Sequence, residues 1–222
     1  MQANQSWIEY DQNTHFPIQN IPFGCFHVDA TTKHCCTRIG DNIIDLALIF
    51  SHFKGPHFSA LKENIFDSEN LNKFAALGKA IRLEARETIQ AIFTSGKEAL
   101  GADLIAKAIL PVASVQMAMP MFIRDYTDFY SSKNHAYNIG VMFRGIDNAL
   151  QPNWLHLPVG YHGRASSIVI DGTPITRPKG QTSADGITPG FNACRLMDFE
   201  LEMGTIIGSG NAMGVPIKTN EA

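Results

Sequence analysis

The sequence predicts a mainly β fold with a few helices, and three observations support this prediction. Gly and Pro interrupt residues 16–60 at short intervals, which is typical of turns between short strands. Residues 153–178 and 196–208 show β-branched alternation bounded by further Gly and Pro residues. A long helical period of apolar residues is evident in residues 69–93.

The N-terminal part is predicted to be a small β module. Its clearest element is residues 37–46, TRIGDNIIDL, in which Gly40, Asp41 and Asn42 separate two apolar stretches. Because a short polar, glycine-containing break between apolar runs favours a tight turn, this segment predicts a hairpin.

Residues 69–93 are predicted to form an amphipathic helix. Its apolar positions recur at steps of three and four residues: Leu71, Phe74, Leu77, Gly78, Ile81, Ala85, Ile89 and Ile92. Asp67 or Ser68 can cap its start, and Gly96 lies just past its end. Packing against a core explains this period, so we assign the helix no chemistry.

Length and charge limit the possible classes of function. The chain has 222 residues, of which 45% are hydrophobic, and a formal net charge of −3. This length predicts one large domain or two small ones, and the boundary between two modules is expected around 105–118. Without a basic excess, nucleic-acid binding is not expected. The most apolar run, residues 42–50, is far shorter than the ~20 residues that span a bilayer, so no membrane association is expected.

Cysteine usage and the N-terminus suggest a compartment. The four cysteines are Cys25, Cys35, Cys36 and Cys194, and no CxxC pair is present. This spacing predicts neither a disulfide framework nor a zinc site. The first residues are polar and lack a basic stretch followed by an apolar one, which argues against a secretory signal. The expected location is therefore the reduced cytoplasm.

The segment DFELEM (198–203) is a candidate metal site. In a strand, Phe199, Leu201 and Met203 would lie on one face and the three carboxylates Asp198, Glu200 and Glu202 on the other. Glu200 and Glu202 could then bind one hard divalent ion such as Ca²⁺ or Mg²⁺ through carboxylate oxygens. The alternative is a plain amphipathic strand whose polar face is in water.

Residues 125–144, DYTDFYSSKNHAYNIGVMFR, concentrate further polar groups in an apolar chain. Asp125 and Asp128 are the acids, and Asp128 could be a metal ligand or a turn aspartate. His135 could take a proton from water near neutral pH, or be an ordinary core or surface histidine. Arg144 could bind a substrate carboxylate, or form a surface ion pair. Tyr130, and Tyr161 further along, could donate phenolic hydrogen bonds or only pack.

Several common catalytic motifs are absent from the sequence. It contains neither GxSxG nor HExxH, so a serine nucleophile elbow and that zinc protease motif are excluded. The glycine-rich GSGNAMG (208–214) is not followed by a helix-forming segment and lacks the spacing of a phosphate loop. We interpret it as a hairpin turn.

Three long motifs resemble the fumarylacetoacetase (fumarylacetoacetate hydrolase) family. They are RDYTDFYSSKNHAYNIGVMFR, NALQPNWLHLPVGYHGRASSIVIDGTPITRPKGQ and CRLMDFELEMG, and they occur in the family's order. The earlier FPIQNIPFGCF and RIGDNIIDLALI resemble the family's N-terminal module. The resemblance runs along nearly the whole chain.

The resemblance implies a fold and an activity. It implies an SH3-like β-barrel domain with a helical insert at 1–115, and the first part of a β-rich catalytic domain at 116–222. The implied reaction is hydrolysis of the carbon–carbon bond of fumarylacetoacetate to fumarate and acetoacetate, in tyrosine and phenylalanine catabolism. It also implies a homodimer.

The resemblance assigns roles position by position. Asp128, Glu200 and Glu202 match ligands of a Ca²⁺ ion, with Mg²⁺ as a further hard ion. His135 matches the base that activates water. The substrate-binding positions are matched by three residues: Tyr130, Arg144 and Tyr161. Asp125 belongs to the motif but matches no ligand, so a structural role is expected for it.

One departure from the family pattern is expected to matter. Family members continue well past the end of this sequence, and that further part supplies another aspartate ligand and other site residues. An alternative to the enzyme is therefore an inactive fragment that serves at most as a binding or interaction module. Either way, the chain alone is expected to have little or no activity.

Overall fold

The structure is a computed structural model that describes residues 5–221. The strands are β1 (Phe23–His27), β2 (Lys33–Ile39), β3 (Asn42–Asp45), β4 (Ile109–Pro111), β5 (Gln116–Ala118), β6 (Thr127–Phe129), β7 (Gly160–His162), β8 (Lys179–Thr182) and β9 (Gly190–Ala193). The α-helices are α1 (Pro56–Ser59), α2 (Asn72–Ala76), α3 (Lys79–Ser95), α4 (Lys97–Leu100), α5 (Ala102–Ala108) and α6 (Lys133–Arg144). More of the described residues lie in helices than in strands. The fold is therefore mixed α/β, and the predicted β-richness is not confirmed.

The chain divides into two compact units. The first contains the chain up to Met121 and again from Ile170, and the second is Phe122–Val169. None of the helices between residues 5 and 221 combines the length and apolar character needed to cross a membrane.

A five-stranded antiparallel sheet organises the first unit. Its strand order is β4-β3-β2-β1-β5. The predicted hairpin is confirmed, since Ile39 pairs with Asn42 across the turn between β2 and β3. Gly40 in this turn has a φ of +56°, a left-handed conformation that glycine adopts without steric cost. A Cβ on Gly40 would also come within 2.5 Å of the Cβ of Tyr10.

Apolar residues pack on both faces of this sheet because side chains alternate along each strand. One face carries Cys25, Cys35 and Ile44 and packs against α3 and the loops before it. The opposite face carries a smaller cluster of Phe26, Cys36 and Ile43. The main core thus lies between the sheet and the helices of the first unit.

The predicted helix at 69–93 is two helices. Gly78 separates α2 from α3 with a φ of +86°, which is outside the helical region. The predicted buried face is confirmed within α3, where Ile81, Ala85 and Ile89 are buried. Gly96 follows the helix as predicted. The proposed Asp67 or Ser68 cap is wrong, because α2 begins at Asn72 and its N-cap residue makes no side-chain capping bond.

A buried carboxylate joins the end of the hairpin to the next loop. Asp45, the last residue of β3, is 2% exposed, and its Oδ2 lies 2.7 Å from Nδ1 of His34. Its Oδ1 accepts hydrogen bonds from the backbone N–H of Ala47 (2.9 Å) and Leu48 (3.2 Å). These partners compensate the cost of taking a carboxylate out of water.

The segment after Val169 contributes little to the core. It contains the β8–β9 pair, and every described residue from 195 onward is exposed. The predicted strand at 198–203 is wrong: the segment is irregular, and Phe199, Leu201 and Met203 are 89%, 96% and 95% exposed. Polar alternation does not make a strand by itself, because a strand needs a hydrogen-bonding neighbour. The predicted hairpin at 208–214 is also wrong, since no described strand flanks it.

Candidate active site

Two short strands form the β part of the second unit. β6 and β7 pair antiparallel, with Thr127 opposite His162, Asp128 opposite Tyr161, and Phe129 opposite Gly160. Opposite residues of such a pair project from the same face, with Cβ atoms about 5 Å apart. Asp128 is half-buried and Tyr161 is exposed. The pair therefore presents a carboxylate and a phenol side by side.

His135 lies in the first turn of α6. The helix begins after Ser132, whose Oγ accepts a hydrogen bond from the backbone N–H of His135 at 3.3 Å. This bond satisfies one of the N–H groups that a helix start leaves without an intrahelical partner. Ser132 thus fixes the helix start beside His135 and with it the position of that backbone. The sequence analysis did not predict this helix.

Tyr130 connects β6 to the first turn of α6. Its ring meets the ring of His135 edge-on, with centroids 5.5 Å apart. Its hydroxyl donates a hydrogen bond to the carbonyl of Ala136 at 3.3 Å. Its backbone carbonyl accepts one from Nε1 of Trp154 at 2.9 Å, and its N–H donates to the carbonyl of Val159 at 3.0 Å. These contacts hold Tyr130 and His135 in a fixed relationship.

Arg144 ends α6 and binds the turn that follows it. Its Nε donates to the carbonyl of Asn148 at 3.1 Å, and its Nη2 donates to the carbonyl of Ala149 at 2.8 Å. Gly140 lies directly under this turn, since a Cβ there would be 1.8 Å from the carbonyl oxygen of Ala149. The guanidinium therefore uses Nε and Nη2 for the fold, and its Nη1 group has no hydrogen-bond partner among residues 5–221.

Asp125 lies outside the β6–β7 pair. Its carboxylate is 75% exposed and lies 3.9 Å from Nε2 of His162. Next to it, the Tyr126 ring covers Gly163 so closely that a Cβ on that glycine would come within 1.9 Å of the ring. Because Gly163 has no side chain, the Tyr126 ring before β6 can pack against the backbone just after β7.

Glu200 and Glu202 belong to the first unit. Their carboxylates approach each other within 4.8 Å, although their segment is irregular, and both side chains are exposed. Oxygen donors of two carboxylates at this separation suit a hard divalent cation. The donor chemistry therefore fits the ion that the sequence suggests, without the strand that was expected to align it.

Each unit brings together some of the residues singled out from the sequence. The second unit joins Asp128 to Tyr161 across its strands and Tyr130 to His135 at the start of α6. The first unit brings Glu200 close to Glu202. Arg144 lies at the far end of α6 from His135.

Sequence analysis missed Ser132, whose hydroxyl accepts from the backbone N–H of His135, and Trp154, whose indole donates to the backbone carbonyl of Tyr130. A signal for Ser132 was present in the sequence, because serine is favoured as the N-cap residue directly before a helix. No local signal existed for Trp154, whose indole bonds to a residue 24 positions away.

Comparison with known proteins identifies the family. Residues 19–120 match the family model described as fumarylacetoacetase N-terminal, and residues 125–222 match that of the fumarylacetoacetate (FAA) hydrolase C-terminal domain. The chain belongs to the fumarylacetoacetase family. The resemblance drawn from the sequence motifs is thereby confirmed.

Similar fumarylacetoacetases come from distant organisms. The chain is 48% identical to the fumarylacetoacetase of Mus musculus over 221 residues, which is 98% of this chain and 52% of the relative. It is 46% identical to that of Dictyostelium discoideum over 231 residues, covering 100% of this chain and 53% of the relative. For the fumarylacetoacetase of Homo sapiens the identity is 45%, over 98% of this chain and 52% of the relative. The chain thus spans about half the length of the curated relatives it matches.

Proposed function

We propose that this chain carries part of the active site of a fumarylacetoacetase, a hydrolase that cleaves a carbon–carbon bond of fumarylacetoacetate to give fumarate and acetoacetate. Family membership supports the substrate. The observation that carries the proposal is the arrangement in the second unit, where Asp128 faces Tyr161 and the Tyr130 ring meets His135. These two pairs would supply an acidic ligand, phenolic hydrogen-bond donors and a general base for this hydrolysis.

The proposed base is His135. Its imidazole would take a proton from a water molecule while the water oxygen bonds to the carbonyl carbon next to the scissile bond. When that bond breaks, its electron pair stays with the acetoacetate part as an enolate. The enolate carbon then takes up the proton, so no covalent intermediate with the protein is needed. The Tyr130 ring would limit rotation of the imidazole by its edge-on contact.

Substrate binding is assigned to Tyr130, Tyr161 and Arg144. The Tyr161 hydroxyl makes no hydrogen bond within residues 5–221, so it can donate to a substrate oxygen. The Nη1 group of Arg144 can bind a substrate carboxylate while Nε and Nη2 keep their carbonyl partners. Fumarylacetoacetate, a diketone with two carboxylates, offers acceptors for Tyr161 and Arg144, and Tyr130 can donate to it in exchange for its hydrogen bond to the Ala136 carbonyl.

Asp128, Glu200 and Glu202 are proposed to hold a hard divalent cation, Ca²⁺ or Mg²⁺. Their oxygen donors fit such an ion. A bound ion of this kind supplies a positive charge that polarises a carbonyl and stabilises negative charge on oxygen.

Further properties of the whole protein are part of the proposal. We infer that residues 1–115 form an SH3-like barrel domain, supported by four antiparallel strands of that range in the order β4-β3-β2-β1. Residues 116–222 would then begin the catalytic domain. A homodimer and a cytoplasmic location are inferred from the family resemblance and the unpaired cysteines.

A second candidate is a non-catalytic interaction module. It is favoured by one observation: the buried hydrophobic residues lie almost entirely before residue 119, whereas the described residues from 195 onward are all exposed. Such a chain could keep its first sheet and core without assembling a complete site.

The test joins this chain to the part of the Mus musculus relative that lies beyond the match. The chimera should consume fumarylacetoacetate in the presence of Ca²⁺, measured as loss of substrate absorbance, whereas residues 1–222 alone should show little turnover. A His135→Gln chimera of equal secondary structure should be inactive. A folded chimera without turnover would favour the interaction module, and a fully active His135→Gln chimera would remove the assigned base.

A further inference from the structure

Two buried thiols face each other in the sheet of the first unit. Cys25 on β1 is directly opposite Cys35 on β2, and their sulfur atoms are 3.9 Å apart. Both residues are fully buried on the helix-packed face of the sheet. Neither has a part in the proposed hydrolysis.

The backbone around Cys35 defines the type of cross-strand pair. Its N–H donates to the carbonyl of Phe66 at 2.9 Å, and its carbonyl accepts from the N–H of Leu46 at 3.1 Å. Both backbone groups of Cys35 therefore form hydrogen bonds on the side away from β1, so Cys25 and Cys35 are a non-hydrogen-bonded pair. The Cα atoms of such pairs are about 4.5 Å apart, inside the range of about 4.4–6.8 Å that disulfides span.

We propose that Cys25 and Cys35 are a redox modification site, which a small hydroperoxide converts into a reversible cross-strand disulfide. The Cys25 thiolate attacks the peroxide, forming a sulfenic acid and releasing water or an alcohol. Cys35 then attacks the sulfenic sulfur, the disulfide forms and a second water leaves. The two thiols lose two electrons and two protons together, and the peroxide O–O bond is reduced.

The electrostatics of the pair agree with these roles. A hydrogen bond between the two sulfurs, with Cys35 as its partner, lowers the pKa of the Cys25 thiol below its ordinary value. The same hydrogen bond, followed by burial, raises the pKa of Cys35. A lowered pKa favours the thiolate, which is the nucleophilic form, and this direction agrees with attack by Cys25.

The other two cysteines lack a partner for this reaction. Cys36 projects from the opposite face of the sheet, and the residue opposite it on β1 is Gly24. Burial is the main cause that raises the pKa of Cys36. Cys194 lies beside the β8–β9 pair. Selectivity for Cys25 and Cys35 therefore follows from strand register.

The edge strand β5 offers a route for the oxidant. β1 is covered on one side by β5, which has only three residues and pairs Ala118 with Cys25. A short edge strand opens locally at lower cost than the centre of a sheet. Oxidation should therefore be slow, and it should depend on opening of β5.

Oxidation would change contacts on both sides of the pair. The sulfur of Cys35 lies 3.8 Å from the carbonyl of Ser68 and 3.7 Å from that of Asn70, and the sulfur of Cys25 lies 3.8 Å from that of Pro120. A disulfide has no S–H to donate to these carbonyls. The loop before α2 would lose these contacts while β1 and β2 became covalently joined.

Trypsin separates the two strands and so provides a direct readout. No Lys or Arg precedes Lys33, so Cys25 lies in the peptide 1–33, whereas Cys35 and Cys36 share the peptide 34–38. The folded chain of residues 1–222 is treated with hydrogen peroxide, free thiols are alkylated, and the tryptic digest is analysed by mass spectrometry. We expect these two peptides to become linked with loss of two hydrogen atoms, and dithiothreitol to separate them.

Matched variants assign the bond to its sulfurs. Cys36→Ala and Cys194→Ala should keep the link, and Cys35→Ser should abolish it. Because Cys35→Ser could disturb the core, the mapping of the wild-type and Cys36→Ala chains decides the matter independently. Loss of the link in Cys36→Ala would overturn the proposal. It would also be overturned if Cys25 and Cys35 were still alkylated after peroxide had oxidised Cys194.

Discussion

Asp128 and Tyr161 lie directly opposite each other across β6 and β7, so a half-buried carboxylate and an exposed phenol share one face of the pair. Each residue has a different task in the proposed site. The carboxylate is assigned to the cation and the phenol to the substrate, which allows variants to separate the two.

Asp128→Asn should weaken Ca²⁺ binding by the chimera with the Mus musculus segment. Removing one charged oxygen ligand should raise the Kd for Ca²⁺ about tenfold or more, which is ~1.4 kcal/mol or more. Isothermal titration calorimetry measures this directly. Tyr161→Phe, the matched control on the opposite strand, should keep the Ca²⁺ affinity and raise KM; equal Ca²⁺ affinity in both variants would contradict the assignment.

His135→Ala should lower kcat of the same chimera by about 10²–10⁴, the usual contribution of a general base. Its Ca²⁺ affinity should remain that of the parent, because the imidazole is not assigned to the cation. Ser132→Ala removes only the hydroxyl that accepts from the His135 N–H, so it should destabilise α6 by about 1 kcal/mol and lower kcat far less. Similar kcat losses in both variants would show a structural role for His135.

Gly140→Ala should destabilise the second unit. The new Cβ would meet the Ala149 carbonyl at 1.8 Å, and relieving this contact requires α6 and the following turn to separate. The expected cost is about 1–3 kcal/mol or more, measured by denaturant unfolding. Gly204→Ala is the control, since nothing lies within 4 Å of its Cβ position; a loss as large as that of Gly140→Ala would contradict the packing argument.

Asp45→Ala should strongly lower the free energy of unfolding of the first unit. It leaves two backbone N–H groups and the His34 ring without their acceptor, at a cost of about 3 kcal/mol. Asp67→Asn is the control, because Asp67 lies 3.7 Å from the other His34 nitrogen but is 65% exposed, so its loss should cost less than about 1 kcal/mol. Chemical denaturation monitored by circular dichroism compares the two.

Asp29 should make the turn between β1 and β2 sensitive to acid. Backbone hydrogen bonds from Thr31 and Thr32 lower the pKa of the Asp29 carboxyl from 3.8 to about 2. Since the folded pKa lies below the unfolded one, this contribution to stability is complete above about pH 4 and is lost as the pH falls through 2. The carboxyl resonance followed by NMR should titrate near 2, and a midpoint near 3.8 would disprove the effect.

Local turn chemistry made some elements predictable from sequence. Gly40 and Asp41 separate two apolar runs, a pattern that favours a tight turn, so the β2–β3 hairpin was predicted correctly. In the structure Gly40 adopts the left-handed conformation that this turn requires. In α3 the buried face follows the 3.6-residue period directly. The predicted helix at 69–93 is interrupted because Gly78 adopts a positive φ. The prediction failed there because it placed Gly78 on the apolar face of one continuous helix.

Elements that depend on distant partners were less predictable. The DFELEM segment has the polarity of a strand, but no described strand pairs with it. The α6 helix carries Tyr, Asn, His and Gly in its first two turns, which weakens its period, and Ser132 was its main local signal. Register between β1 and β2, which sets Cys25 against Cys35 rather than Cys36, is a property of pairing that a single sequence does not display.

The chain leaves the first unit after Met121 and returns to it at Ile170. During synthesis on a ribosome, the sheet and its helices are therefore complete well before residues 170–221 emerge. Those later residues meet an already formed surface, as Ser209 does when its Oγ donates to the carbonyl of Ala76 at 2.9 Å. The nascent polypeptide thus acquires its stable nucleus early, and the glutamates of the candidate cation site arrive only near the end of translation of this stretch.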